Sequence, residues 1–284
     1  SGLPGVLWAL GRVGGVAARG AINEFLTHDD EAIAEAACRA LIRLGDYHAV
    51  RHGLLVAQAK PWPIRSLGIG GDHTAVNILT DIVKSDRVSA EALHALGMLG
   101  DLACVANIYN CLLNSDHAMA AAEALQTITG AALYEDVFVP AEVDPDELLD
   151  DEREEYEQTG KVPLSPNDEP LGETISQLSV NPDTWKQWFA ANKQRFDARL
   201  RYRHGKPMSP AASLYCLMDE HTPHHIREMV CDELVVRYGA ELTMEPDMPV
   251  TEQERLLNEL VDWVRANQSK FAAGQWYFAG KPMV

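Results

Sequence analysis

The chain has 284 residues, of which 46% are apolar and 7% aromatic, and 42 Asp and Glu stand against 24 Lys and Arg for a formal net charge of −18. That is enough apolar matter for one elongated array or two compact domains, and Ala and Leu recur where a β-rich protein would carry Val, Thr and aromatics, so an all-α protein is expected. The acidic balance argues against nucleic acid, which needs a cationic stripe, and no run approaches the ~18 apolar residues of a membrane span, so a cytoplasmic protein without one is expected.

Ser1-Gly2 reads as a cleavage scar. Leu3 to Gly15 already reads as the middle of a repeating unit, so upstream residues are expected. The unit is Leu-x-x-Leu-Gly followed by a small or acidic residue. It appears at Leu7 to Gly15, Leu41 to Asp46, Leu67 to Asp72 and Leu96 to Asp101, and in degenerate form at Leu125 to Gly130. The marker glycines Gly14, Gly45, Gly71, Gly100 and Gly130 are 31, 26, 29 and 30 residues apart, the period of a two-helix repeat. Apolar residues three and four apart, such as Ala37, Leu41 and Leu44, form one buried stripe. The glycine then takes the left-handed position that ends a helix. Second helices begin near Ala49-Val50, Ala75-Val76 and Cys104-Val105. Neither helix buries its stripe alone, so the units stack. The spacing predicts Leu41, Leu44, Leu93, Leu96, Leu125 and Ile128 in the core. The expected architecture is a HEAT-like α-solenoid of stacked helix pairs over residues 3–134, interrupted by a long acidic irregular connection over 135–181.

In that connection the helical period disappears and prolines recur. Between Glu135 and Glu173 there are 15 Asp or Glu against Arg153 and Lys161. A short exposed helix over Asp146 to Gln158 is expected, and otherwise a solvated segment able to meet a basic partner.

Residues 182–284 carry a duplication. Trp188-Phe-Ala-Ala-Asn192 to Tyr202-Arg-His-Gly205-Lys206-Pro207-Met208 returns 75 residues later as Trp263-Val-Arg-Ala-Asn267 to Tyr277-Phe-Ala-Gly280-Lys281-Pro282-Met283, with ten identities and no gap. Each copy reads as a helix anchored by its Trp, followed by an irregular arm that Gly-Lys-Pro turns back. Trp188 and Trp263 are expected to be buried. The arms supply the candidate partner-binding residues Tyr202, Lys206, Trp276, Tyr277 and Lys281. Between the copies, Pro210 to Glu220 and His224 to Tyr238 read as a helix pair closed by Gly239.

Reactive chemistry finds no motif. The five cysteines lack CxxC spacing and fall in apolar helical patterns, as reduced core residues do. His48 and His52 share a helix face and His221, His224 and His225 surround Pro223, but no HExxH accompanies them, so no metal or organic cofactor and no catalytic residue is expected. The glycine runs at Gly11 to Gly15 and Gly68 to Gly71 lack the Gly-Lys-Ser/Thr ending of a phosphate loop and read as repeat turns.

The array ending in Ile128-Thr-Gly130, the acidic connection, the Trp helix and Arg201-Tyr-Arg-His-Gly-Lys-Pro-Met-Ser-Pro210 together resemble a bacterial HEAT-like repeat family associated with type VI secretion loci. The resemblance implies a non-catalytic adaptor that binds another protein, such as an effector, a spike component or an accessory protein. An immunity protein masking a basic toxin is the alternative. A HEAT-like lyase or hydroxylase is a lesser one: the di-iron hydroxylases of that fold use repeated His-Glu dipeptides, and none of the ten histidines here precedes Glu.

Overall fold

The computed structural model of the chain describes residues 2–141, 148, 150–160 and 171–283, and it is mostly helical. Residues up to Ala131 and from Val180 onward form one compact unit, and Ala132–Ser179 form a second. The two helical stretches that the sequence separates are thus one body. Among the described residues no helix is long and apolar enough to cross a membrane.

The first stretch runs α1 (Leu3–Val13), α2 (Arg19–Asn23), α3 (Glu31–Arg43), α4 (Tyr47–Val56), α5 (Ile64–Gly70), α6 (His73–Val83), α7 (Ala90–Leu99), α8 (Val105–Cys111) and α9 (Ala118–Thr129). The recurring Gly-Asp pair divides two tasks. The glycine ends one helix and the aspartate caps the next: Asp46 accepts from the His48 N–H, Asp72 from those of Thr74 and Ala75, and Asp101 from that of Ala103. Gly45, Gly100 and Gly130 take the left-handed conformation expected of them, with φ of 78°, 69° and 58°. Gly71 and Gly14 do not. Their φ values are −72° and −77° with extended ψ, and glycine is required there by space, since a Cβ would lie 2.4 Å from the Leu67 carbonyl oxygen at Gly71 and 2.3 Å from that of Leu10 at Gly14.

The odd-numbered helices pack in a row, α1 on α3, α3 on α5, α5 on α7 and α7 on α9, with α4, α6 and α8 along its flank. Small residues let these backbones nearly touch. A Cβ at Gly11 would sit 2.7 Å from the Ala40 Cα, one at Gly68 2.7 Å from the Ala95 Cα, and one at Gly97 2.9 Å from the Ala124 Cα. Leu41, Leu93, Leu96, Leu125 and Ile128 are buried as expected, while Leu44 is half-buried beside its turn.

The second stretch comprises α11 (Pro182–Asn192), α12 (Pro210–Met218), α13 (His224–Tyr238) and α14 (Val250–Asn267). Helix α13 packs on α3, α5 and α7, so the chain itself covers part of the row.

The Ala132–Ser179 unit departs from the expected irregular connection. Strands β1 (Tyr134–Pro140) and β2 (Gly172–Leu178) pair antiparallel over their whole length, from Tyr134↔Leu178 to Pro140↔Gly172. The run Val137-Phe138-Val139 opposite Ile175 has the β-branched and aromatic character that favours strands, which the surrounding acids and prolines obscure. Helix α10 (Asp150–Thr159) lies where a short helix was expected. Residues 142–147, 149 and 161–170 of this connection lie outside the described residues.

Replacing Gly97 by Ala forces backbone against backbone between α7 and α9 and should cost about 1–3 kcal/mol. Gly20→Ala, whose Cβ meets nothing within 4 Å, should be neutral or gain up to about 1 kcal/mol through helix propensity. Urea midpoints of the two variants check this, and an unchanged midpoint for Gly97→Ala would contradict the close packing.

Candidate functional site

The duplicated arms are hairpins. After α11 a 3-10 turn (Lys193–Arg195) leads to β3 (Tyr202–Arg203) and β4 (Lys206–Pro207), and after α14 a matching turn (Gln268–Lys270) leads to β5 (Tyr277–Phe278) and β6 (Lys281–Pro282). Both central turn residues have positive φ in each copy, 47° and 71° at His204-Gly205 and 48° and 74° at Ala279-Gly280, the two-residue turn that matches strand twist. The conserved residue types then make matching bonds within each copy. The Tyr202 hydroxyl accepts from the Asp197 N–H at 2.7 Å, and that of Tyr277 from the Ala272 N–H at 2.7 Å. The Asn192 amide donates to the Trp188 carbonyl, and that of Asn267 to the Trp263 carbonyl.

Each hairpin docks on a helix end. His204 and Gly205 donate their backbone N–H groups to Thr127 and Ile128 of α9, both at 2.9 Å, and Ala279 and Gly280 donate to Val236 and Arg237 of α13 at 2.7 and 2.9 Å. Helix C-termini leave carbonyls without partners, and the arms supply the donors. This geometry corrects the assignment of the arms as a partner surface: Tyr202, Trp276 and Tyr277 are only 2%, 8% and 6% exposed and face the protein's own core. Lys206 and Lys281 remain exposed, the former with its ammonium 3.5 Å above the Tyr215 ring. The anchors also shift by one turn. Trp188 and Trp263 are half-buried, while Trp185 is fully buried and Leu260 fills its place in the second copy.

Behind the hairpins lies a buried ionic cluster that no motif announces. Arg203 donates to the Gly97 and Met98 carbonyls and pairs with Glu233 at 2.9 Å. Glu233 also accepts from the Ser213 hydroxyl at 2.9 Å and lies 3.4 Å from the Arg237 Nε. Arg237 reaches the Gly68 and Gly71 carbonyls, and Arg201 the Leu99 carbonyl at 2.7 Å. The ends of α5 and α7 are therefore capped by guanidinium groups from the second stretch, which also oppose the negative ends of the helix dipoles. Burial, and then the neighbouring Arg237 charge, push the Arg201 guanidinium well below its ordinary range, and its ring partner is Trp276, 3.7 Å away. Toward the start of the row, Asp232 binds Arg39 and Arg43, and Glu228 binds Arg65 at 2.8 Å.

At the edge of this interface three potential metal ligands converge. His94 on α7, Glu123 on α9 and His225 at the start of α13 bring their ligand atoms within 4.8 Å of one another, and among the described residues this is the one such group. His94 Nε2 lies 2.7 Å from Glu123 Oε2, His225 Nε2 lies 3.4 Å from the same oxygen, and the two imidazole rings are 4.4 Å apart. Burial raises the Glu123 carboxyl, but the contacts with His225 and His94 outweigh it and bring the group down to about 2. Sequence scanning missed this set because Glu123 follows His94 by 29 residues, one repeat period, and only that periodicity places them side by side. The histidines grouped around Pro223 diverge instead: His221 turns toward Asp219, His224 toward Glu228 and His225 toward Glu123. His52 stacks on Trp62.

The cysteines are poor nucleophiles. Burial raises the Cys38 thiol to about 12 and the Cys216 thiol to about 11, and lifts those of Cys104 and Cys231 further. Elsewhere, a groove of about 330 Å³ runs between α1 and α3, lined by Pro4, Trp8, Arg12, Glu35 and Arg39 among others. Comparison with family models, with curated proteins and with solved structures found no match.

Glu233→Ala should destabilise the chain by about 3–5 kcal/mol, because it leaves Arg203 and Arg237 buried without their carboxylate. Lys206→Ala combined with Lys281→Ala should stay within about 0.5 kcal/mol of the parent. Denaturant unfolding of both variants checks this, and a Glu233→Ala protein as stable as the parent would show that the cluster does not hold the second stretch to the row.

Proposed function

We propose that the chain is a non-catalytic protein-binding scaffold, a HEAT-like α-solenoid whose partner docks on the outward face of α1 and the adjoining groove. The observation that supports this reading is the groove between α1 and α3 beside the half-exposed Trp8. Leu7 and Gly11 of α1 are buried against α3, while Val6, Trp8 and Val13 are 56%, 45% and 83% exposed. Trp8 lines the groove with Arg12 stacked 3.8 Å from its ring, and Trp and Arg are the residue types enriched where binding energy concentrates. The role of accessory protein in type VI secretion rests on the family resemblance. The immunity reading draws its support from the charge, since a surface of this acidity complements a basic enzyme.

The test is capture of partners from the native host with three baits: the parent chain, Trp8→Glu and, as a surface control, Leu113→Glu, a residue 72% exposed on another helix pair. A specific partner held by the parent and by Leu113→Glu, and weakened more than about tenfold by Trp8→Glu, is the expected result. Equal capture by Trp8→Glu would remove α1 as the docking face. A captured basic enzyme whose activity the chain silences would establish the immunity reading in place of the adaptor.

A further inference from the structure

We propose that His94, Glu123 and His225 form a binding site for a divalent transition-metal ion of the zinc class, with three protein ligands and a fourth position open to water. The inference stands on side-chain geometry and does not depend on the scaffold reading.

The donor set is the first argument. Two imidazole nitrogens and one carboxylate suit zinc and its neighbours, whereas calcium and magnesium favour all-oxygen cages. Two histidines and a glutamate are also a ligand set found in zinc sites that keep one position for water. Spacing is the second. Zinc bonds of about 2.0–2.2 Å in a tetrahedron place the ligand atoms roughly 3.4 Å apart. The separation of 3.4 Å from His225 Nε2 to Glu123 Oε2 matches that value, the 2.7 Å from His94 Nε2 to the same oxygen is hydrogen-bond length, and all three ligand atoms lie within 4.8 Å of one another. Small side-chain rotations would open the shorter one to admit an ion.

The third argument is rigidity. The ligands stand on three different helices whose mutual placement is fixed by packing. Gly97, less than one turn after His94, brings α7 against Ala124, the residue after Glu123, and α13 packs on α7. A site carried on such helices holds its geometry better than one on loops. Finally, His225 Nε2 is shielded from solvent and has only the long 3.4 Å approach to Glu123 as a polar contact, although the rest of its side chain is 40% exposed. A buried ring nitrogen so weakly held is costly, and an ion bound between the three groups would satisfy it. The exposed side of His225 leaves the approach for a water ligand.

The 284-residue chain, without an affinity tag and stripped with a chelator, is titrated with zinc and separately with cobalt(II). The expected result is one zinc per chain, a visible cobalt spectrum of tetrahedral or five-coordinate type, and a melting temperature that rises with zinc concentration, as binding to the folded state requires. His225→Ala and Glu123→Gln should each weaken zinc binding by at least about tenfold while remaining folded by circular dichroism, and His221→Ala should leave it unchanged. Binding of less than one zinc at micromolar concentration would overturn the proposal. So would affinity that survives both ligand substitutions, or one lost with His221→Ala, since the ion would then be held elsewhere. Should Glu123→Gln unfold the chain, His225→Ala at the exposed edge decides the outcome by itself.

Discussion

Glu233 has no exposed surface and sits between two arginines that are equally buried. A lone carboxylate or a lone guanidinium would each cost several kcal/mol to bury there. Together they are tolerated because Arg203 and Arg237 also donate terminal N–H groups to the carbonyls that end α7 and α5. The cluster thus does two jobs at once. It satisfies helix termini that the first stretch leaves bare, and it fixes α13 across the row at one register, since a shift of one residue along α13 would move Glu233 off Arg203 and Arg237 off the α5 carbonyls. Asp232 and Glu228, with Arg39, Arg43 and Arg65, repeat the arrangement at the start of the same interface. The second stretch is held by directional, charge-assisted bonds laid over an apolar core.

The duplication serves the same end by a different means. Both hairpins offer two consecutive backbone N–H groups to the last carbonyls of a helix, α9 for the first copy and α13 for the second. One difference between the copies sits where they meet. Arg201 and Trp276 occupy equivalent positions, and they stack on each other at 3.7 Å. The first copy donates a cation and the second an aromatic face, so divergence after duplication produced a contact that two identical arms could not make. The arms are connected directly as well, Arg201 donating to the Gly274 carbonyl and Gly274 to that of Met208.

The helices of the row, their period and their glycine ends are legible from the sequence because each rests on local rules: apolar spacing, a left-handed stop, an aspartate cap. Gly71 and Gly14 show where the local rule fails, since their glycine answers to a neighbour's atoms and not to φ. The burial of Tyr202, Trp276 and Tyr277 was equally hidden. An aromatic beside Gly-Lys-Pro reads the same whether it faces solvent or a core, and only the docking of the hairpin on a helix end decides. The β1–β2 ribbon was masked by the acids and prolines around it. Arg203, Glu233 and Arg237, and likewise His94, Glu123 and His225, come from distant parts of the chain. No linear pattern brings them together, except that the repeat period sets His94 beside Glu123.

Arg201, Arg203 and Arg237 lie wholly inside and Arg43 is almost so, with Glu233 and Asp232 as their buried acidic companions. Among the described residues Asp101 is buried as well, so three buried acids nearly balance these cations and burial leaves the surface about as acidic as the formal charge states. The α1–α3 groove departs from that acidity. Arg12 and Arg39 line it with Trp8, and the single acid among its lining residues is Glu35. Both arginines are already paired, Arg12 with Glu245 and Arg39 with Asp232, so their charge is spent within the protein and the groove presents its apolar lining and the stems of those side chains rather than free positive charge.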